Sequence, residues 1–261
     1  MRQITSLNND RVRRAQALLR SARRRSREGL VVVEGLRLLR EAMLARCAIQ
    51  ELFFTANFRD DSRGMALFED LEPLCASVWE VSPQILAALS DTETPQGITA
   101  VLPVPTPDER FPDGLTLVLD QIRDPGNLGT ILRSAWAAGV RRVLLPPGTV
   151  DPLNPKVVRS GMGAHFHLPI YHMMWDEAVK VLGDGPVWLA EASGSTAYDA
   201  VAWSDAVALI VGGEAAGAGE EGRALASGHH VAIPMASGVE SLNAAVAASI
   251  LLFEAARQRR Q

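Results

Sequence analysis

Apolar positions along the chain alternate between two spacings. Short continuous blocks read as buried strands, and stretches where they recur every three or four residues read as helices. LVVVEG (30–35) is a block, and LRLLREAMLA (36–45) returns to helical spacing. IQELFFT (49–55) is strand-like, MALFEDLEPL (65–74) helical and SVWEVS (77–82) a short strand. PQILAALS (83–90) is a helix with Pro at its start, and GITAVLP (97–103) is another strand. Ahead of these, residues 8–26 read as one basic amphipathic helix, with Val12, Ala15, Leu18 and Leu19 as its apolar stripe. The alternation predicts a small α/β domain over residues 1–103.

Residues 104–114, VPTPDERFPDG, break the pattern with three Pro and four charges and read as a linker. A second alternation fills 115–261. Its strands are LTLVLD (115–120), RRVLLPP (141–147), HLPIYHM (167–173), PVWLAEAS (186–193), AVALIVGGE (206–214) and HHVAIPM (229–235). Its helices are NLGTILRSAWAAG (127–139), a short one in NPKVVRSGMGA (154–164), WDEAVKVLG (175–183), EEGRALASG (220–228) and the long SLNAAVAASILLFEAARQRR (241–260). Apolar strands alternating with helices predict a mostly parallel sheet covered on both faces.

Composition narrows the class. The net charge of −4 hides an asymmetry, because residues 1–46 hold twelve Arg against four acids. In RVRRAQALLRSARRRSR (11–27) almost no acid accompanies the Arg, which points to an anion-binding surface for RNA or DNA. A solvated helix face remains the alternative. No apolar run reaches the roughly 18 residues of a membrane helix, and MRQITSLNND lacks the apolar core of a secretory signal. Cys47 and Cys75 match no metal spacing and read as reduced, buried thiols, so a cytoplasmic protein with no membrane partner is expected. His165, His167, His229 and His230 form no ligand grouping, and no metal is expected. G-x-S-x-G and G-K-[ST] are both absent, which removes support for hydrolase and nucleotide-triphosphatase readings.

Three loops follow strands of the second sheet, where open α/β sheets hold ligands. The first, DQIRDPGNLGTILRSA (120–135), leads into a helix whose stripe is Leu128, Ile131, Leu132, Ala135 and Trp136. Arg133 falls off that stripe, and periodicity alone reads it as solvated. The second, IVGGEAAGAGEEG (210–222), contains a formal G-x-G-x-x-G at 217–222, displaced from the strand end by five residues and carrying Glu220 and Glu221. It does not read as a dinucleotide site. Gly212 and Gly213 suit either a tight turn or close backbone approach to a ligand. The third, IPMASGVESLNAA (233–245), ends in Ser241, a suitable N-cap for the last helix, with Asn243 in the first turn. That helix is small and apolar nearly all round, as a buried or subunit-facing helix is.

Together the loops resemble the three motifs of the SpoU family of RNA ribose 2′-O-methyltransferases, in the SPOUT superfamily. They appear as Asn127-x-Gly129-x-x-x-Arg133-x-Ala135, then Ile210-Val211-Gly212-Gly213-Glu214 followed by Gly217, then Ile233-Pro234-Met235 and Ser241-Leu242-Asn243. The N-terminal region, with Arg23–Gly29 and VVVEGLRLLREAM, resembles that family's ribosomal-protein-like substrate-binding domain. The resemblance implies a C-terminal trefoil knot in residues 115–261, S-adenosylmethionine bound by its loops, and a homodimer packed through the knot. It implies methyl transfer to a ribose 2′-hydroxyl of large-subunit ribosomal RNA. Transfer RNA as substrate, or a catalytically silent RNA-binding assembly factor, are the alternatives. Arg133 is implied as the hydroxyl activator, with Asn127, Glu214, Ser241 and Asn243 completing the catalytic set. Backbone around Ala192, Gly213, Ile233 and Leu242 is implied to cradle the cofactor. Arg11, Arg13, Arg14, Arg20, Arg23, Arg24 and Arg25 are expected to grip RNA phosphates.

Overall fold

The computed structural model describes residues 2–107, 113–214 and 217–260. The chain forms two compact units, Met1–Pro105 with Asp151–Phe166, and Thr106–Val150 with His167–Gln261. Residues 108–112 of the expected linker lie outside the described residues.

The first unit holds a five-stranded sheet of β1 (Arg2–Ile4), β2 (Leu30–Glu34), β3 (Glu51–Phe54), β4 (Val78–Val81) and β5 (Ile98–Pro103), in the order β1-β4-β3-β5-β2. β1, β4 and β3 run parallel, and β5 is antiparallel to β3 and β2. Successive side chains of β2 point to opposite faces, so its all-apolar run serves two cores. Val32 packs with Val12, Ala15 and Leu18 of α1 (Asp10–Arg20) and with Ile85 and Leu86 of α6 (Pro83–Ala88). Val31 and Val33 pack with Leu38 and Leu39 of α3 (Leu36–Leu44) and Leu67 and Leu71 of α5 (Ser62–Leu71). Val158 of α8 (Pro155–Gly161) joins the same cluster, so this segment belongs to the first unit although it lies far along the chain. β1 and α4 (Ala56–Asp60) are too short to show a period, and the apolar pattern did not announce them.

The single helix expected over residues 8–26 is two, α1 and α2 (Ala22–Glu28). The physical reason is Ser21. Its extended backbone ends α1, its N–H bonding Ala17 O, while its hydroxyl accepts from Arg24 N to cap α2.

The second unit carries β6 (Thr116–Asp120), β7 (Arg142–Leu145), β8 (Ile170–His172), β9 (Val187–Ala190), β10 (Thr196–Ala197), β11 (Ala208–Gly212) and β12 (His230–Ala232). Their order is β10-β12-β9-β11-β6-β7-β8, and every pairing is parallel. β6 and β7 are buried throughout, as the center of a covered parallel sheet requires. Ala178 and Leu182 of α9 (Trp175–Leu182) and Ala226 of α10 (Glu220–Ala226) pack on Val118, Leu144, Leu189 and Ile210. α7 (Pro125–Ala137) packs along α11 (Ala244–Arg259), where Ser134 and Ser249 hydroxyls meet at 2.8 Å.

Among the described residues no helix is long and apolar enough to cross a membrane. Cys47 and Cys75 are free and half-buried, and burial pushes the Cys75 thiol up to about 12.

Candidate active site

The loop after β6 explains the first motif. Asp124 caps α7, its carboxylate accepting Asn127 N at 2.8 Å, and Pro125 at the helix start supplies a preset φ. This places Asn127 in the first turn with its side-chain amide aimed outward. Its Nδ2 donates to Glu214 Oε1 at 2.5 Å. Asn243 Nδ2 donates to the same oxygen at 2.8 Å and to Asn127 Oδ1 at 3.1 Å. Three residues from three separate loops thus close one hydrogen-bonded network.

Asn243 also corrects the expected helix start. The N-cap of α11 is Asn243, whose Oδ1 accepts Ala245 N at 2.9 Å and Val246 N at 3.3 Å. Ser241 lies two residues upstream, exposed, and caps nothing. Both are good capping residues by type, and Asn243 wins because its amide caps with one end and binds Glu214 with the other.

The glycines of the second motif are required by the backbone around them. A Cβ on Gly212 would stand 2.2 Å from Ala218 N, and one on Gly213 would stand 2.3 Å from Gln121 O. Gly213 and Gly217 exchange both backbone hydrogen bonds, at 3.1 and 2.9 Å, and Gly213 is pressed against the β6 loop. Gln121 sits in the left-handed region at φ 57° to make that crossing. The formal G-x-G-x-x-G is blocked by the protein itself. Gly219 N donates to Asp120 Oδ2 at 2.6 Å, so this amide is already taken by a buried carboxylate. Burial holds the Asp120 carboxyl above its ordinary range, opposed by the Gly219 amide.

Beside the network opens a cleft of about 360 Å³. Ala192, Gly213, Ile233 and Leu242, the four residues expected at a cofactor, all line it, together with Glu214, Ser241 and Asn243. Asn127 lines an adjoining smaller hollow with Gln121, Gly213 and Glu214. Arg133 stands apart. It is exposed on α7, lines neither cavity, and has no ion pair among the described residues. Sequence reasoning missed Glu191, which also lines the cleft. Its position directly after an apolar strand is the signal that could have found it.

The arginines of the first unit differ from expectation. Arg25 is buried. It is ion-paired with Asp151 and donates to Leu18 O at 2.6 Å and Leu19 O at 3.1 Å, so it is a structural clamp and not an RNA contact. Acids do accompany four of the others. Arg11 pairs with Glu51, Arg13 with Asp10 at 2.5 Å, and Arg14 and Arg24 both with Glu28 at 2.7 and 2.6 Å. Glu51 lies far along the sequence and reaches Arg11 only through folding. Arg20 and Arg23 are exposed and have no ion pair among the described residues.

This geometry agrees with comparisons to known proteins. Residues 114–253 match the SpoU rRNA Methylase family, and residues 9–100 match the MRM3-like substrate binding domain. The chain is 33% identical over 263 residues to the 23S rRNA (guanosine(2553)-2′-O)-methyltransferase RlmP of Bacillus subtilis, covering 97% of this chain and 98% of that one. It is 35% identical over 304 residues to rRNA methyltransferase 3A, mitochondrial, of Danio rerio, covering 96% and 69%. The crystal structure of the SpoU methyltransferase AviRb from Streptomyces viridochromogenes in complex with the cofactor AdoMet matches with a TM-score of 0.85, at 29% identity, over 97% of this chain and 99% of that one. With the motif residues joined in space and both segments matched along the sequence, the chain belongs to the SpoU rRNA methylase family.

Proposed function

We propose that this protein transfers a methyl group from S-adenosylmethionine to a ribose 2′-hydroxyl in large-subunit ribosomal RNA. The observation that carries the reading is the closed Asn127–Glu214–Asn243 network beside a cleft lined by all four residues expected at the cofactor.

The residues present suit that cofactor. The cleft volume of about 360 Å³ falls among small-molecule sites. Val211, Val231, Ile233 and Leu251 offer an apolar wall for the adenine, and the Glu214 carboxylate, held by neutral amides, favors a cation. Backbone at Ala192, Ile233 and Leu242 supplies directional partners, and the Gly213 carbonyl keeps one further acceptor site. When bound, S-adenosylmethionine supplies an electrophilic methyl carried on a sulfonium. The protein's task is to bring the ribose hydroxyl into line with it, and such positioning supplies much of the rate. Asn127, Glu214 and Asn243 fix the loops in one geometry. A guanidinium such as that of Arg133 is a poor base. We assign it to the RNA phosphate beside the target ribose, where its charge stabilizes the ribose oxygen as the hydroxyl proton passes to solvent water. Ser241 is exposed at the cleft rim to hydrogen-bond the ribose or phosphate.

Residues 1–103, joined by Asp151–Phe166, serve as the RNA-binding domain, 104–114 as the linker, and 115–150 with 167–261 as the methyltransferase domain, with a trefoil-knotted path. Arg20 and Arg23 supply the salt-sensitive phosphate grip. A homodimer through the methyltransferase domain is supported by Val246 and Phe253, two turns apart on α11 and about half exposed. The cytoplasm as place of action is supported by the two free thiols. Titration calorimetry with S-adenosylmethionine tests the reading. Saturable binding is expected, and no binding heat overturns it and leaves the silent-factor alternative. Mapping 2′-O-methyl positions in ribosomal RNA from cells with and without the protein then identifies the nucleotide.

A further inference from the structure

Glu191 stands directly after β9, at the C-terminal end of a parallel strand, and lines the cleft. Two elements hold its carboxylate from behind. Arg223 of α10 places Nη1 2.5 Å from Oε1, and His230 of β12 donates from Nδ1 to Oε2 at 2.8 Å. Arg223 is itself anchored, its Nε donating to Ala218 O at 3.0 Å. Its Nη2 lies 3.0 Å from where a Cβ on Gly217 would stand. The Glu191 carboxylate is therefore fixed in direction, and each oxygen keeps a further acceptor site.

The two carboxylates of the cleft are electrostatically unlike. Glu214 is held by neutral amides, and no cation pairs with it among the described residues. It remains a charge partner for a cationic group. The Glu191 charge is offset by Arg223, so it presents an oriented acceptor suited to neutral hydroxyl donors. An acidic side chain at the C-terminal end of a parallel strand is the arrangement by which dinucleotide folds read a ribose.

We propose that Glu191 accepts hydrogen bonds from the ribose hydroxyls of the cofactor, as a specificity residue held in place by Arg223 and His230. This rests on the cofactor reading above. The test is calorimetry on the full chain with three probes: S-adenosylmethionine, 5′-methylthioadenosine and the 2′,3′-dideoxy form of the latter. If wild type fails to bind S-adenosylmethionine, the cofactor reading itself fails. Given that binding, wild type is expected to prefer the hydroxyl-bearing probe by about tenfold or more, the range of a hydrogen bond to a charged group. Glu191→Ala is expected to reduce that preference to about twofold or less while binding the dideoxy probe as wild type does. Should that variant not fold, Glu191→Gln keeps the shape and one neutral acceptor, and the preference should fall to an intermediate value. A wild type without preference, or a variant that keeps the full preference, overturns the proposal.

Discussion

Asn243 donates from Nδ2 to Glu214 Oε1 at 2.8 Å while its Oδ1 caps α11 through Ala245 N at 2.9 Å. One side chain therefore ties the second motif loop to the start of the last helix. Asn243→Asp keeps the capping acceptor and loses both donors, setting a carboxylate against Glu214. Helix capping is expected to survive, with the melting temperature little changed, while methyl transfer falls by roughly 10- to 100-fold. Thermal unfolding monitored by circular dichroism, paired with initial rates, separates the two effects. Equal loss of both would make Asn243 a stability residue alone.

Gly213 has no room for a side chain, since its Cβ would stand 2.3 Å from the Gln121 carbonyl. Gly213→Ala must push one loop off the other. A destabilization of about 2 kcal/mol is expected in urea unfolding, together with weaker cofactor binding. Gly139→Ala, at φ 77° with no atom near the added Cβ, carries only backbone strain and should leave the cofactor affinity intact. Wild-type affinity in Gly213→Ala would show that the loop crossing does not shape the cleft.

Much of this architecture was legible in the chain. Continuous apolar blocks found β2, β5 and β6, and helical spacing found α3, α7 and α11, because each run is long enough to stand out. The break at Ser21 was hidden because Arg-rich helix continues on both sides, and only the hydroxyl's hydrogen bond reveals the cap. The motif residues could be named from the resemblance, but their closure on Glu214 Oε1 needs three loops in space. The fate of the arginines was illegible, because Glu51 and Asp151 lie about 40 and 126 residues from Arg11 and Arg25.

That division among the arginines is measurable. Arg25→Ala leaves Asp151, Leu18 O and Leu19 O without their partner, and a loss of about 3 kcal/mol in stability is expected. The Arg20→Ala, Arg23→Ala double variant should keep its stability and bind RNA more weakly, with a salt dependence shallower by about two. RNA affinity at several salt concentrations distinguishes the two classes. An unchanged slope would place the phosphate grip elsewhere.

His165 makes the first unit sensitive to acid. It is buried, its Nε2 donating to Pro152 O at 2.8 Å, and burial lowers its pKa to about 4. The folded value lies below the ordinary 6.5, so folding favors the neutral ring. The stabilization is complete above about 6.5 and is lost as pH falls toward 4, a change on the order of 3 kcal/mol. Urea midpoints of wild type should fall across that window, and those of His165→Gln should fall much less. Parallel declines would assign the acid sensitivity to other groups.

The proposed reaction is methyl transfer to a ribose hydroxyl, positioned by the closed network and assisted by Arg133. Its most direct measurement is the incubation of an unmodified 23S ribosomal RNA transcript with S-adenosylmethionine labeled at the methyl group. Nucleoside mass spectrometry then locates the label. Wild type should place it on a ribose 2′-oxygen at a single site, and Arg133→Ala should bind the cofactor yet transfer none. Label on a base, no label with wild type, or wild-type turnover by Arg133→Ala would rule out this reaction as assigned.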